Sequence, residues 1–388
     1  MIAALPWLLS IGASFPMLVL AAECLAGLRA GKSLVEVSPE ASPYAVLIPA
    51  HDEAPGITPV IAAVRAQLRP CDRVLVVADN CADATAAVAR GAGAELIERF
   101  DAGRRGKAYA LACGRELLRL SPPTTIIVLD ADCVPEPGAL PALASSAERR
   151  AAAVQGRYLL RAARDATPLV RISTFAFLIK NSVRQRGLER LGGPALLQGT
   201  GMAFPWAMFD AAPLETASLV EDLKLGLDLA IAGQPVGFED RAVFLSPAST
   251  QAATRGQRTR WEHGALATFG RYAPRLIARG LSGRPGLLAL AADIAVPPLM
   301  LLLAGSGIAG GLLLPWAMLT GAAGPLALLG SAGLVLAVTL FAVWRAWGRA
   351  LLPAASLLHL PRYLLWKLPI YARFVTHRQR DWVRTGRA

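Results

Sequence analysis

The chain has 388 residues, of which 54% are hydrophobic, and carries a formal net charge of +12. So apolar a composition at this length argues against an ordinary water-soluble protein and for membrane segments. The positive balance comes without zinc-finger spacing or an RNP-type aromatic motif, which excludes nucleic acid as the expected partner and leaves anionic lipid headgroups and phosphate-bearing substrates.

The chain begins with an apolar run, residues 5–28, interrupted by Glu23. It is longer than the ~20 residues a bilayer requires. No basic region precedes it and no clear cleavage site follows, so it reads as a retained anchor rather than a signal peptide. Arg29 and Lys32 behind it put the next segment on the cytoplasmic side. From Tyr44 short apolar runs alternate with helical stretches: strands over 44–49, 73–78, 94–98 and 126–129, helices over 57–68, 83–91 and 105–119. This alternation predicts an α/β fold with a doubly wound, mostly parallel sheet, and no GxGxxG suggests a dinucleotide site.

Residues 171–190 and 255–281 read as basic amphipathic helices. Each fits either the membrane interface or a solvated helix on a core, and the neighbouring apolar segments favour the interface. Two spans are expected over 287–319, kinked at Pro297-Pro298 or broken near Gly305 to Gly311, and over 325–344. Residues 351–374, with three prolines, Arg362 and Lys367, read as interfacial or re-entrant, and the arginines that follow keep the C-terminus inside. Asp293 is expensive in lipid, so it is expected to face protein or a polar path, unless it lies near the headgroups. The expected division is an anchor over 1–30, a cytoplasmic domain with interface helices over 40–285 and a membrane region with a basic tail over 286–388. The five cysteines form no CxxC pair and none follows Cys133, so neither a disulfide framework nor a zinc site is expected.

The chemistry-bearing residues gather where strands end. Ile126 to Leu129 run straight into Asp130 and Asp132, and Pro135 and Pro137 stop the strand. Open α/β sheets bind ligands at that edge, and two acids one residue apart suit a hard cation, Mg2+ or Mn2+, shared with a phosphate. The alternative is the ordinary preference of turns for Asp. The first strand ends in Pro49-Ala50-His51-Asp52-Glu53, a credible nucleotide-lining loop; as a metal site it is weak, because three adjacent residues do not easily converge on one ion. The second strand ends in Asp79, which suits a uracil or ribose, or caps a turn. Lys107 at a helix start suits a phosphate, or is a solvated charge. Glu221 and Asp222 open an amphipathic helix, where Asp222 is either a general base or a carboxylate favoured by the helix dipole. Gln257, Arg260 and Trp261 combine an amide, a guanidinium and an indole, a set for diphosphate and sugar contacts or for a membrane-surface helix.

In this order, Asp79, Asp130-Ala131-Asp132, Val220-Glu221-Asp222 and Gln257-Arg258-Thr259-Arg260-Trp261 resemble the membrane-integrated family 2 glycosyltransferases, the group containing cellulose, hyaluronan and poly-N-acetylglucosamine synthases. The resemblance covers residues 44–285 and the flanking membrane layout. It implies a GT-A fold, a multi-pass protein of the bacterial inner membrane with its catalytic domain in the cytoplasm, and a UDP-sugar donor. Asp79 and the Pro49, His51 and Glu53 loop would bind the nucleotide, with Asp130 on the nucleotide side. Asp132 would hold the Mg2+ or Mn2+ that bridges the diphosphate. Gly199 and Thr200 would lie in the acceptor-side loop, and Glu221 of the TED-like motif is a further substrate-binding candidate. Asp222 would deprotonate the acceptor hydroxyl for an inverting displacement, and Gln257, Arg260 and Trp261 would hold the diphosphate and acceptor end. One base suffices; the second carboxylate of glycoside hydrolases is not required. Val220 departs from the TED-like pattern, which leaves the base intact and weakens the likeness to a processive acceptor loop. The implied acceptor is a growing polysaccharide or glycan; the alternative is one sugar passed to a lipid such as a polyprenyl phosphate, ceramide-like or hopanoid lipid. Membrane lipids, export or accessory subunits and a homo-oligomer are the other implied partners. A catalytically silent scaffold would have no use for Asp132, Asp222 and Arg260.

Overall fold

The structure, a computed structural model, describes residues 4–29, 42–214, 220–248 and 251–376. Helix α1 (Ala4–Gly27) comes first, followed by β1 (Tyr44–Ala50), α2 (Ile57–Arg65), β2 (Arg73–Asp79), α3 (Thr85–Gly91), β3 (Glu95–Arg99) and α4 (Lys107–Leu118). Next are β4 (Thr125–Val128), β5 (Val134–Pro135), α5 (Ala139–Arg150) and β6 (Ala153–Arg161). Helices α6 (Pro168–Leu178) and α7 (Arg184–Arg190) are joined by a π-helical turn, Ile179–Val183. Then come β7 (Met202–Pro205), α8 (Trp206–Asp210), α9 (Glu221–Ala232) and β8 (Val236–Pro247). The chain continues through α10 (Gln251–Leu281), α11 (Gly286–Ala295), α12 (Leu299–Thr320), α13 (Gly324–Val343) and α14 (Leu360–Thr376). The described parts of 30–163 and 194–248 form one compact unit, and those of 1–29, 164–193 and 249–388 a second.

The first unit is built on a single mixed sheet of order β3-β2-β1-β4-β7-β6-β8-β5. Its β1 sequence is apolar at nearly every position, and all of it but Pro49 is buried, as expected of a strand covered on both faces. From β3 to β4 the pairing is parallel. The other half is mixed: β7 runs antiparallel to both β4 and β6 and β5 antiparallel to β8, while β6 and β8 pair parallel, so that four of the seven pairings are parallel and three are not. Strands β6 and β8 escape a hydrophobicity reading because Gln155, Arg157, Glu239, Asp240 and Arg241 interrupt their apolar runs. Leu47, Leu75, Ile126, Phe204, Phe209 and Phe238 are among the side chains of the core. The parallel register aligns Ala50 with Ala78 and Leu47 with Val128, so β1, β2 and β4 end along one edge.

The second unit is helical. Among the described residues three helices are long and apolar enough to cross a membrane by length and composition: Ala4–Gly27, Leu299–Thr320 and Gly324–Gly348. Pro297-Pro298 breaks the expected first C-terminal span into α11 and α12, while α12 runs unbroken through Gly305 to Gly311. The arginines of the 171–190 segment are not all on a wet face: Arg186 is buried and donates to the Gly27 carbonyl at 2.6 Å. Arg184 donates to Glu23 at 2.7 Å and to Asp293 at 2.6 Å, so both acids face protein. Helix α1 crosses α7 at backbone contact; a Cβ on Gly187 would lie 1.9 Å from the Glu23 carbonyl oxygen.

Candidate active site

The edge where β1, β2 and β4 end carries most of the sequence-predicted residues. Past β4, the Leu129 N–H donates to the Leu47 carbonyl, and the Cys133 N–H to the Asp130 carbonyl, both at 3.0 Å. This tight turn presents Asp130 and Asp132 while burying the Cys133 side chain, whose thiol is pushed up to about 12 by burial. The Asp130 backbone N–H donates to Thr200 Oγ1 at 2.9 Å. Lys107, the first residue of α4, donates from Nζ to an Asp130 carboxylate oxygen and to the Gly199 carbonyl at 2.5 Å. Burial works against the Lys107 charge, but the charges of Asp130 and Glu221, the Asp130 hydrogen bond and the Asp222 charge outweigh it and raise the ammonium above its ordinary value. Lys107 is therefore a fixed cation that joins a helix start, a strand end and a loop.

That loop, residues 198–201, is held from below by Gln155, whose side chain is fully buried. Its Oε1 accepts from the Gln198 N–H at 2.8 Å and its Nε2 donates to the Thr200 carbonyl at 2.9 Å. Gly199 has φ +90°, and a Cβ there would lie 3.2 Å from Asp222 Oδ2 and 3.7 Å from Lys107 Nζ. The Asp222 carboxylate thus rests against the bare Cα of Gly199. Glu221 and Asp222 form the first turn of α9, where the helix dipole favours negative charge. Burial and then the charge of Asp222 push the Glu221 carboxyl up to about 7, against the pull of Lys107.

Asp79, at the end of β2, is buried and takes Arg99 Nη1 at 2.6 Å and Asn80 Nδ2 at 2.9 Å, both on Oδ1. Its backbone carbonyl accepts from His51 Nδ1 at 2.7 Å, so Nδ1 carries a proton and the neutral tautomer is the one with its lone pair on Nε2. The Glu53 N–H donates to Thr85 Oγ1 at 2.8 Å, and Pro49 pairs in register with Val77. Lys107, Asp130, Gly199, Thr200, Glu221 and Asp222 form one group, and His51 and Asp79 a second. Asp132 follows Asp130 on the same turn, and its charge helps raise the buried Tyr158 hydroxyl, after burial itself. Gln257, Arg260 and Trp261 fall on α10 in the helical unit, and their side chains lie outside the described residues. Arg99 and Gln155 were missed in the sequence. Arg99 had a signal, since Asp79 and Arg99 are the last residues of neighbouring strands and pair in register; a glutamine inside a strand had none.

The family model described as glycosyltransferase like family 2 matches residues 40–264, more than half of the chain. The chain belongs to this family. A solved mannosyltransferase from Pyrobaculum calidifontis, in complex with GDP-mannose and Mn2+, is 18% identical and superimposes with a TM-score of 0.56 over 95% of this chain and 99% of that one. That likeness extends the match to the fold as a whole, a mixed α/β sheet consistent with GT-A. Glucosyl-3-phosphoglycerate synthase from Mycobacterium tuberculosis, in complex with Mn2+, UDP and phosphoglyceric acid, is 17% identical with a TM-score of 0.39 over 58% of this chain and 78% of that one. A search of curated protein sequences returns no match.

Proposed function

We propose that this glycosyltransferase is membrane-held and metal-dependent, and moves one sugar from a nucleoside diphosphate donor to an acceptor hydroxyl with inversion, Asp222 being the base. The observation that carries this reading is the Asp222 carboxylate packed on Gly199 beside a lysine fixed to Asp130. A general base has to lie within reach of the hydroxyl it deprotonates, and a side chain at residue 199 would fill the space in front of this one. Lys107, held protonated, gives a cation for the charge that develops on the leaving diphosphate. Asp79 Oδ2 accepts no hydrogen bond among the described residues, which suits it to a ribose or base donor.

The residues at the β4 end fit Mg2+ or Mn2+. Their half-buried donors are carboxylate oxygens and the neighbouring thiol is buried, the chemistry these hard cations select. Asp132 would be the ligand, because Lys107 already matches the charge of Asp130. When bound, the ion neutralises diphosphate charge and favours its departure. Roles for Gln257, Arg260 and Trp261 rest on their motif alone.

The acceptor is held at the cytoplasmic face of the membrane. The three apolar helices among the described residues are few for a polymer-conducting pore, which favours a single transfer to a lipid acceptor. The Gln257 to Trp261 motif favours a growing polysaccharide as the second reading. Incubation with Mn2+ and a donor panel spanning UDP-sugars and GDP-mannose, followed by size analysis, separates a single lipid-linked sugar from a ladder. Asp222→Asn is expected to lower transfer by at least ~10³-fold while nucleotide binding stays within twofold, consistent with loss of general-base catalysis. Unchanged transfer in that variant sinks the base assignment.

A further inference from the structure

The loops after β1 and β2 bring together a second set of donor atoms, different in kind from those around Asp222. A ring nitrogen of His51, an Asp52 carboxylate oxygen and Cys81 Sγ all lie within 4.8 Å of one another. His51 Nε2 and Asp52 Oδ2 are 3.8 Å apart. Around a tetrahedral Zn2+, with bonds of about 2.0–2.3 Å, ligand atoms stand about 3.3–3.6 Å from each other, so closure asks for side-chain movement on the order of 1 Å.

The surroundings are arranged as metal ligands usually are. The hydrogen bond from His51 Nδ1 to the Asp79 carbonyl fixes the ring and leaves the lone pair on Nε2, the support that ligating histidines ordinarily have. Asp52 adopts φ +52°, a left-handed conformation uncommon outside glycine. Two bonds hold it there: its N–H points at Cys81 Sγ at 3.4 Å, and its Oδ1 accepts from the Ala82 N–H at 2.6 Å. With the backbone held so, the Asp52 carboxylate and the Cys81 sulfur lie close together. Sequence spacing hides this set, because Asp52 and Cys81 are 29 residues apart and meet only when β1 and β2 pair. Glu53, adjacent to Asp52 in sequence, is not part of the set.

We infer that His51, Asp52 and Cys81 form a binding site for a borderline-soft divalent cation of the Zn2+ class, separate from the hard-cation position at Asp132. Imidazole and thiolate select Zn2+ over Mg2+, whereas carboxylates shared with phosphate select the reverse. On binding, the Cys81 thiol releases its proton to solvent and the thiolate sulfur donates to the metal; water completes the tetrahedron. Occupancy ties the loop after β1 to the loop after β2.

Titration of the purified full chain in detergent with Co2+, in the absence of nucleotide, tests this. One equivalent is expected to raise a thiolate-to-cobalt charge-transfer band that Zn2+ displaces and a large excess of Mg2+ does not. Cys81→Ser is expected to abolish the band, His51→Ala to weaken Co2+ binding at least ~10-fold, and Cys71→Ser to leave it unchanged. Zn2+ is also expected to raise the melting temperature of the wild type and not of Cys81→Ser, since a ligand bound only to the folded state stabilises it. No band in the wild type, or a band that survives in Cys81→Ser, overturns the site. Because the titration uses no donor or acceptor, its outcome is independent of whether sugar transfer is found.

Discussion

Gly199 is the residue at which backbone conformation and the proposed chemistry depend on each other. Its φ of +90° is strained for any other residue, and the space a Cβ would take is bounded 3.2 Å away by Asp222 Oδ2. Gly199→Ala must therefore move the loop or the carboxylate by several tenths of an ångström. Transfer is expected to fall about 10–100-fold, as small misplacements of reacting groups do, with the melting temperature lowered only slightly; kcat and a melt of the same sample check both. Beside it, Glu221 gives a stability signal with an unusual sign. Its folded-state value is raised from an ordinary 4.5 to about 7, so the folded protein holds this proton more tightly than the unfolded chain does. Stability from this group is therefore present below pH 4.5 and lost as pH rises toward 7. Glu221→Gln lacks that loss: its melting temperature is expected to match the wild type at pH 4 and to exceed it at pH 8, and an equal gap at both pH values would refute the shift. The residues legible in sequence were those at strand ends, where apolar runs stop at acids. Cys81 was not, because its neighbours come from another strand; nor was the Lys107–Asp130 pair, because both residues were read singly as ligand contacts.

At the level of elements, legibility followed continuity of pattern. Strands β1, β2 and β4 are built on uninterrupted apolar runs, and their existence and parallel direction could be read, whereas β3 carries Glu95, Glu98 and Arg99 in five residues. Strands β6 and β8 mix ionic and apolar residues because their neighbours satisfy them: Arg241 pairs with Glu239 at 2.9 Å, and Arg157 lies 3.6 Å from Asp240. The same logic applies to α1, α7 and α11, where Glu23, Arg184 and Asp293 form a buried triad that single-helix hydropathy counts as three separate penalties. Arg184→Met leaves two carboxylates facing each other without a cation, and removing one partner of a buried ionic group costs about 3–5 kcal/mol. The variant is expected to lose the fold of the helical unit at markedly lower temperature in detergent, while the triple replacement Arg184→Met, Glu23→Gln and Asp293→Asn recovers much of the loss. A triple variant no more stable than Arg184→Met would mean that packing at this crossing, rather than charge, sets its stability.

The whole molecule carries two features suited to a membrane by different physics. One is its net charge of +12, which attracts anionic lipid but is screened within about 3 Å at 1 M salt. The other is a set of apolar side chains left outside any protein core: on α12 Ile308, Met318 and Leu319 are 66%, 78% and 86% exposed, and on α13 Leu334 and Phe341 are 66% and 59% exposed. Apolar surface this continuous is not maintained in water by monomeric proteins. Helix α1, with 24 residues at about 1.5 Å each, is ~36 Å long and exceeds the ~30 Å hydrocarbon core. If these helices are inserted, the charge is secondary, and membranes containing the protein are expected to retain it through 1 M salt and through alkaline carbonate, releasing it only into detergent. Release by salt alone would mean that basic surfaces hold the chain to lipid from outside. The apolar faces of α12 and α13 would then have to be covered by protein, and a second copy of this chain would be the first partner to look for.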